Sequence, residues 1–185
     1  ISIEKLKHFV SKEAFNIDGF GKKIVESFWK LKLIKFPQDI FNLDYSKIKN
    51  LDGWGEQSVN NLELSIQKSK KVSLQRFIFS IGIRHIGLES AKLISDSVKN
   101  ISNFVDIIKK KQLGKFLNID GIGETQVNSL KSFFSNQSNV NILIDLKNIL
   151  NIESKISNKN GILKNKTFMF TGKLEGISRA EAKSL

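Results

Sequence analysis

The chain has 185 residues, 40% hydrophobic and 26% charged, which suits a soluble globular protein of one or two domains, and it has no cysteine, which excludes a disulfide framework and a cysteine zinc site within it. No apolar run approaches the length of a membrane span and no signal peptide is visible. The net charge of +12 favours a polyanionic partner, most often nucleic acid, although only Arg76, Arg84 and Arg179 among the 30 basic residues are arginine, a bias that an AT-rich genome produces without any function.

Taken in order, Ile1 to Phe15 carries Ile3, Leu6, Phe9, Val10 and Phe15 on a helical stripe. A glycine turn at Gly19 and Gly21 follows, then a helix over Lys22 to Lys32. The only proline, Pro37, suits the opening of a short helical turn. Tyr45 to Lys49 leads into a second turn at Gly53 and Gly55, and Gln57 to Lys70 follows as a helix. Ser73 is placed to cap a helix carrying Leu74, Phe77, Ile78 and Ile81. A third turn at His85 and Gly87 precedes a helix over Leu88 to Val98, and Ser102 is a candidate cap for a helix with Val105 and Ile108. A fourth turn at Gly121 and Gly123 opens a helix over Glu124 to Phe134, and Asn136 to Leu150 is helical in pattern. Residues 151–162 turn polar and are expected to be a linker. Beyond it, Lys166 to Gly172 has the pattern of a strand ending in a turn, and Ser178 that of a cap for a helix from Arg179. The chain starts without Met and stops in what reads as mid-helix, so it is expected to be part of a longer protein.

The four turns repeat. Ile17-Asp18-Gly19-Phe20-Gly21, Leu51-Asp52-Gly53-Trp54-Gly55, Ile83-Arg84-His85-Ile86-Gly87 and Ile119-Asp120-Gly121-Ile122-Gly123 share one form, the third being degenerate. Their last glycines lie 34, 32 and 36 residues apart. Four positions after each comes Val25, Val59, Ala91 or Val127, and seven after comes Phe28, Leu62, Ile94 or Leu130. The pattern predicts helix, hairpin, helix, four times over. Glycine permits the tight turn and leaves no side chain in front of it. The free N–H groups of the following helix then face outward with the helix dipole behind them, which makes a small anion site suited to phosphate. Each turn has a plainer reading as a helix connector. Four copies in a basic chain favour contact with nucleic acid by at least two of them.

The remaining chemistry-bearing residues read as structural. His8 and His85 lack the cysteines or clustered carboxylates of a metal site. Trp54 sits in the slot held by Phe20, Ile86 and Ile122, so it and Trp29 are expected to pack. Lys109-Lys110-Lys111 suits a solvated face as well as a phosphate rail.

His8-Phe9-Val10-Ser11, the first hairpin, Gly82-Ile83-Arg84-His85-Ile86-Gly87 and Ile119-Asp120-Gly121-Ile122-Gly123 resemble, in order, bacterial NAD-dependent DNA ligase. Phe170-Thr171-Gly172-Lys173-Leu174 and Ser178-Arg179-Ala180-Glu181-Ala182 resemble the start of its BRCT domain. The resemblance covers nearly the whole chain. It implies an all-α, pseudo-symmetric tandem helix-hairpin-helix domain over residues 1–150, the linker over 151–162, and an incomplete α/β BRCT start over 163–185. It implies a parent enzyme of replication and repair that seals nicks between 5′-phosphate and 3′-hydroxyl. In that family a lysine of another domain takes AMP from NAD, the AMP passes to the 5′-phosphate, and the 3′-hydroxyl displaces it. NAD, magnesium and a four-cysteine zinc module are implied for the parent and none for this segment. The family's nucleophile motif is Lys-x-Asp-Gly. Asn16, Asn50 and Asn118 stand where that lysine would be, and asparagine cannot form the phosphoramidate, so no catalytic residue is expected here.

The implied partner is nicked duplex DNA, gripped without sequence preference by a monomer in the bacterial cytoplasm, near the nucleoid, with no membrane involved. The expected DNA-contacting residues are Gly19, Gly21, Lys22, Lys23, Gly53, Gly55, Arg84, His85, Gly87, Gly121 and Gly123. Glu56 and Glu124 suit a helix start but weaken a phosphate site. Two other classes remain: a helix-hairpin-helix module of a repair nuclease or Holliday-junction protein, and a protein–protein scaffold without DNA contact.

Overall fold

The computed structural model describes residues 2–154, which fall in one compact unit running to Lys155. The expectations for residues 163–185, including the BRCT start, lie outside the described residues.

The described chain is mostly helical. The first turn lies between α1 (Ile3–Phe9) and α2 (Lys22–Lys30). A 3-10 helix over Pro37–Asn42 leads to α3 (Tyr45–Lys49), and the second turn connects α3 to α4 (Glu56–Ser69). The third turn connects α5 (Leu74–Ser80) to α6 (Leu88–Val98). After α7 (Ile101–Lys109), a 3-10 helix over Leu113–Asn118 enters the fourth turn, followed by α8 (Glu124–Ser135) and α9 (Gln137–Ile149).

Three sequence expectations shift. The first stripe does not continue as helix to Phe15. The backbone closes instead into a turn, with Phe15 N–H on the Phe9 carbonyl at 3.1 Å and Asn16 in a left-handed φ of 48°. Phe15 then stacks on Phe9 at 4.3 Å, so its apolar side chain serves the compaction of the turn. Asn100, not Ser102, caps α7, its side chain accepting from Asn103 N–H at 2.9 Å after Lys99 bends the chain with φ 68°. The all-α reading also omits a small parallel sheet. β1 (Lys71–Ser73) pairs with β2 (Asn151–Glu153), and Val72 faces Ile152 in register. Residues 151–153, expected as linker, are thereby held to the helical unit. The Lys71 ammonium lies 3.0 Å from the Glu153 carboxylate across the same pair.

One continuous core lies under the four turns. The residues four and seven after each last turn glycine are all buried, among them Val25, Ala91, Phe28, Ile94 and Leu130 at 0% exposure. Burying the valine, leucine, isoleucine and phenylalanine side chains among them stabilises by roughly 1.5–3 kcal/mol each. Aromatic contacts knit neighbouring hairpins together. Trp54 of the second turn lies 5.4 Å from Phe28 of α2, and Phe104 of α7 packs on both Phe116 and Phe134. Trp54 and Trp29 are partly buried against the core. The repeat is therefore a packing device before it is anything else: each turn brings two apolar helix faces together.

Candidate nucleic-acid interface

Each turn is built in one way. The N–H of Phe20, Trp54, Ile86 and Ile122 donates to the carbonyl three residues back, at 3.0–3.1 Å. The residue before it takes a positive φ: 74° at Gly19, 80° at Gly53, 61° at His85 and 84° at Gly121. That combination is a tight turn of the kind that favours glycine at its third residue. The degenerate third copy thus adopts the same backbone as the others, with histidine in the strained place.

The last glycine of each turn has a different role. Gly21, Gly55, Gly87 and Gly123 are the N-caps of α2, α4, α6 and α8, with extended backbone that any residue adopts. Their carbonyls accept the first helical bonds, from Val25, Val59, Ala91 and Val127, at 2.9–3.2 Å. A Cβ added at Gly21, Gly55 or Gly87 meets nothing within 4 Å. Among the described residues neither backbone nor packing requires glycine at these three positions. What glycine does is leave the helix end uncovered. In none of these four helices does the N-cap residue itself supply a side-chain bond. By contrast, Asp44, Ser73, Asn100 and Asn136 accept first-turn N–H groups of α3, α5, α7 and α9. Apart from α1, whose N-cap Ser2 makes no such bond either, the α-helix starts without a bond to the N-cap side chain are those behind the hairpin turns, where the positive helix end faces out.

The four ends differ in charge. Lys22 and Lys23 open α2 with no acidic residue in its first turn. Glu56 opens α4, with the Lys49 ammonium 3.2 Å from its carboxylate. Glu89 lies in the first turn of α6 and Glu124 in that of α8. At the fourth turn the Gln126 side chain accepts from the Gly123 N–H at 3.2 Å, covering part of that end. Sequence reasoning missed this contact, although glutamine three residues after an N-cap is its local signal.

The first turn meets the second, and the third meets the helix behind the fourth. A cleft of about 490 Å³ brings Asp18 and Gly19 of the first turn beside Gly53 and Trp54 of the second, with Ser58 and Asn61 of α4 along its wall. A second cleft of about 580 Å³ lies between Arg84 and His85 of the third turn and Asn128 and Ser129 of α8. The two clefts take in only some of the expected contact residues. Gly19, Gly53, Arg84 and His85 line them; Lys22, Lys23, Gly21, Gly55, Gly87, Gly121 and Gly123 are exposed around the turns.

His8 is a packing residue: its Nε2 is 2.9 Å from the Phe79 carbonyl and its ring meets Phe79 edge-on at 4.7 Å. Lys109, Lys110 and Lys111 are exposed. Among the described residues no group of three or more histidines and carboxylates is placed to hold a metal ion, and no helix is long and apolar enough to cross a membrane. These residues do not make a zinc donor set, so the zinc implied for the parent finds no fit here.

Comparison with known proteins agrees with this geometry. Residues 76–143 match the model of a helix-hairpin-helix motif family, covering the third and fourth turns. The whole chain is 60% identical to part of a DNA ligase of Pelagibacter ubique, over 28% of that protein's length. Over 98% of the chain it is 46% identical to a DNA ligase of Wolbachia pipientis wMel and 40% identical to one of Rickettsia bellii, again spanning 28% of each. The chain is thus similar along its whole length to a part of these DNA ligases, about 28% of each, and its residues 76–143 carry the helix-hairpin-helix motif.

Proposed function

We propose that this chain is the duplex-gripping segment of an NAD-dependent DNA ligase that seals nicks in replication and repair. The observation that carries the reading is the contrast in capping: α2, α4 and α6 behind the first three hairpin turns are left open and α8 is covered only in part by Gln126, while α3, α5, α7 and α9 are closed by their N-cap side chains. Backbone N–H groups at Gly21, Gly55 and Gly87 and the helix ends behind them would hold phosphates, with Lys22 and Lys23 adding charge. Turn glycines Gly19, Gly53 and Gly121 let the sugar–phosphate backbone approach, and Gly123 contributes once Gln126 moves aside. Arg84 and His85 add side-chain contacts at the third turn.

Contacts of this kind position a protein without reading sequence, which suits an enzyme that must act at any nick. The four hairpins would act as two pseudo-symmetric pairs, one on each strand across the minor groove. Catalysis, with NAD and magnesium, belongs in this reading to other parts of the ligase. The segment would work as a monomer in the bacterial cytoplasm.

Fluorescence anisotropy of this chain with labelled nicked and continuous duplexes, over a salt series, tests the reading. Binding without sequence preference, and a log–log salt slope of several units, is expected. Absence of binding at low salt overturns it for the isolated segment. Tighter binding to the nicked duplex would show that this segment senses the break without the rest of the enzyme.

A further inference from the structure

We infer that the cleft between the first two turns is a seat for a single unpaired nucleobase, stacked on Trp54 and held at its edge by Asn61. Delivery of the base rests on the duplex-binding reading; the fit of the cleft does not. At about 490 Å³ the cleft has the size of a small-molecule site. Its apolar wall is made by Ile24, Leu62 and the Trp54 ring. Trp54 is half-buried, with its ring centre 5.4 Å from that of Phe28, and it also lines the cleft. An aromatic surface stacks on any base, because every base has a π-face. The polar wall carries the exposed hydroxyl of Ser58 and the exposed amide of Asn61. Asp18 is the one charged side chain that lines the cleft, and no cationic one does. Phosphate is therefore a poor guest. A neutral ligand with a flat apolar face and a hydrogen-bonding edge matches both walls.

Asn61 is placed to read an edge. Leu93 and Ser129 stand as far behind Gly87 and Gly123 as Asn61 stands behind Gly55, and both close on a neighbouring turn. The Leu93 side chain lies 2.9 Å from where a Cβ on Gly121 would stand, and the Ser129 hydroxyl lies 3.0 Å from His85 Nδ1. Asn61 makes no such contact: its amide has no hydrogen-bond partner among the described residues, and neither has Ser58 or the Asp18 carboxylate. Lys68, Lys71 and Arg76 border a neighbouring cavity of about 180 Å³ that Asp18 also lines, and none of them forms an ion pair with it. An amide side chain carries an acceptor beside two donors, and base edges offer the complement side by side, as adenine does to asparagine. A carboxylate accepts only, so Asp18 favours a base with an exocyclic amine over thymine. The cleft thus fits a base that has left its pair, carried in on a strand whose backbone the first two turns hold.

The test uses the full 185-residue chain and three fluorescein-labelled duplexes of one sequence. The first is fully paired, the second carries one extrahelical adenine, and the third has an abasic tetrahydrofuran residue in place of that adenine. The last two carry the same phosphates and differ in the base alone. By anisotropy, the adenine bulge is expected to bind about tenfold tighter than the abasic bulge, the scale of one stacked base. Asn61→Ala and Trp54→Leu are expected to abolish that ratio. Asn61 is exposed, so Asn61→Ala keeps the thermal midpoint and the affinity for the paired duplex, and it decides the matter if Trp54→Leu loosens the fold. Equal affinity for the two bulges, or an undiminished ratio in Asn61→Ala, overturns the seat and leaves the amide grip standing. If the chain binds no duplex, deoxyadenosine, which has no phosphate, decides by NMR. Shifts of the Trp54 indole and Asn61 amide signals, absent with 2-deoxyribose, would uphold the seat while the grip fails. No shift of either signal would overturn both.

Discussion

The side-chain oxygen of Gln126 accepts a hydrogen bond from the backbone N–H of Gly123 at 3.2 Å, so the fourth hairpin is partly closed by its own helix. The other three hairpin glycines have no such partner. Gln126→Ala should open the fourth turn. It is expected to cost about 0.5–1 kcal/mol of stability, as loss of a helix-start contact does, while duplex affinity holds or rises. Chemical denaturation together with anisotropy checks this, and a clear loss of affinity would give Gln126 a direct part in binding.

The first and last glycines of the hairpin turns, compared between the fourth turn and the second, should respond in opposite ways. Gly55 has extended backbone and open space around it, so Gly55→Val is expected to cost less than about 1 kcal/mol of stability yet lose duplex affinity. Gly121 has φ 84°, and a Cβ there would stand 2.9 Å from the Leu93 side chain. Gly121→Ala is expected to destabilise by about 1–3 kcal/mol. Unfolding midpoints and binding isotherms of the two variants, measured side by side, separate folding from contact. Equal behaviour in both measurements would refute the division.

Arg76 ties α5 to the loop before the first turn, donating from Nε to the Ala14 carbonyl at 2.7 Å and from Nη2 to the Lys12 carbonyl at 2.8 Å. Ala14 is fully buried, so its carbonyl would be left without this donor. Arg76→Met is expected to destabilise by about 1–3 kcal/mol, and to loosen the first turn. Amide exchange at Ile17 to Gly21 that speeds up in the variant would show the second effect.

Between α1 and α2, the Lys7 ammonium lies 2.7 Å from Glu26 and 2.8 Å from Glu4. The hydrogen bond from Lys7 holds the Glu26 carboxyl below its ordinary value of 4.5, and the bonds to Glu26 and Glu4 hold Lys7 above 10.5. A lowered carboxyl contributes stability that is present above 4.5 and lost as the pH falls through its folded value. A raised ammonium contributes below 10.5 and loses that contribution as the pH rises through its folded value. Glu26→Gln should therefore flatten the acid side of the stability profile. Thermal midpoints recorded from pH 3 to 7, spanning the carboxylate range, test it. A profile as steep as that of the unmodified chain would place the acid sensitivity elsewhere.

Much of the fold was legible because it is local. The turn needs a residue of positive φ, then an extended residue, then apolar side chains at fixed steps along a helix, and all of these lie within about ten residues. The buried positions Val25, Val59, Ala91 and Val127 follow from that spacing, and the Ser73 cap from its place ahead of Leu74. The end of α1 was not legible, since Phe15 stacks on Phe9 and keeps the stripe apolar where the helix has already stopped.

The sequence by itself determined a recurring hairpin pattern with its third copy degenerate, the buried faces of the helices that follow, and a strongly basic chain. Only the tertiary structure decided how those hairpins meet. It paired β1 with the polar segment Asn151–Glu153, joined His85 to Ser129, partly closed the fourth turn with Gln126, and placed Asp18 at one cleft and Arg84 and His85 at the other. The physical reason is range. Turn and helix preferences act within a few residues, whereas these contacts join side chains and strands brought within hydrogen-bonding distance by the packing of the whole core, and no periodicity records that.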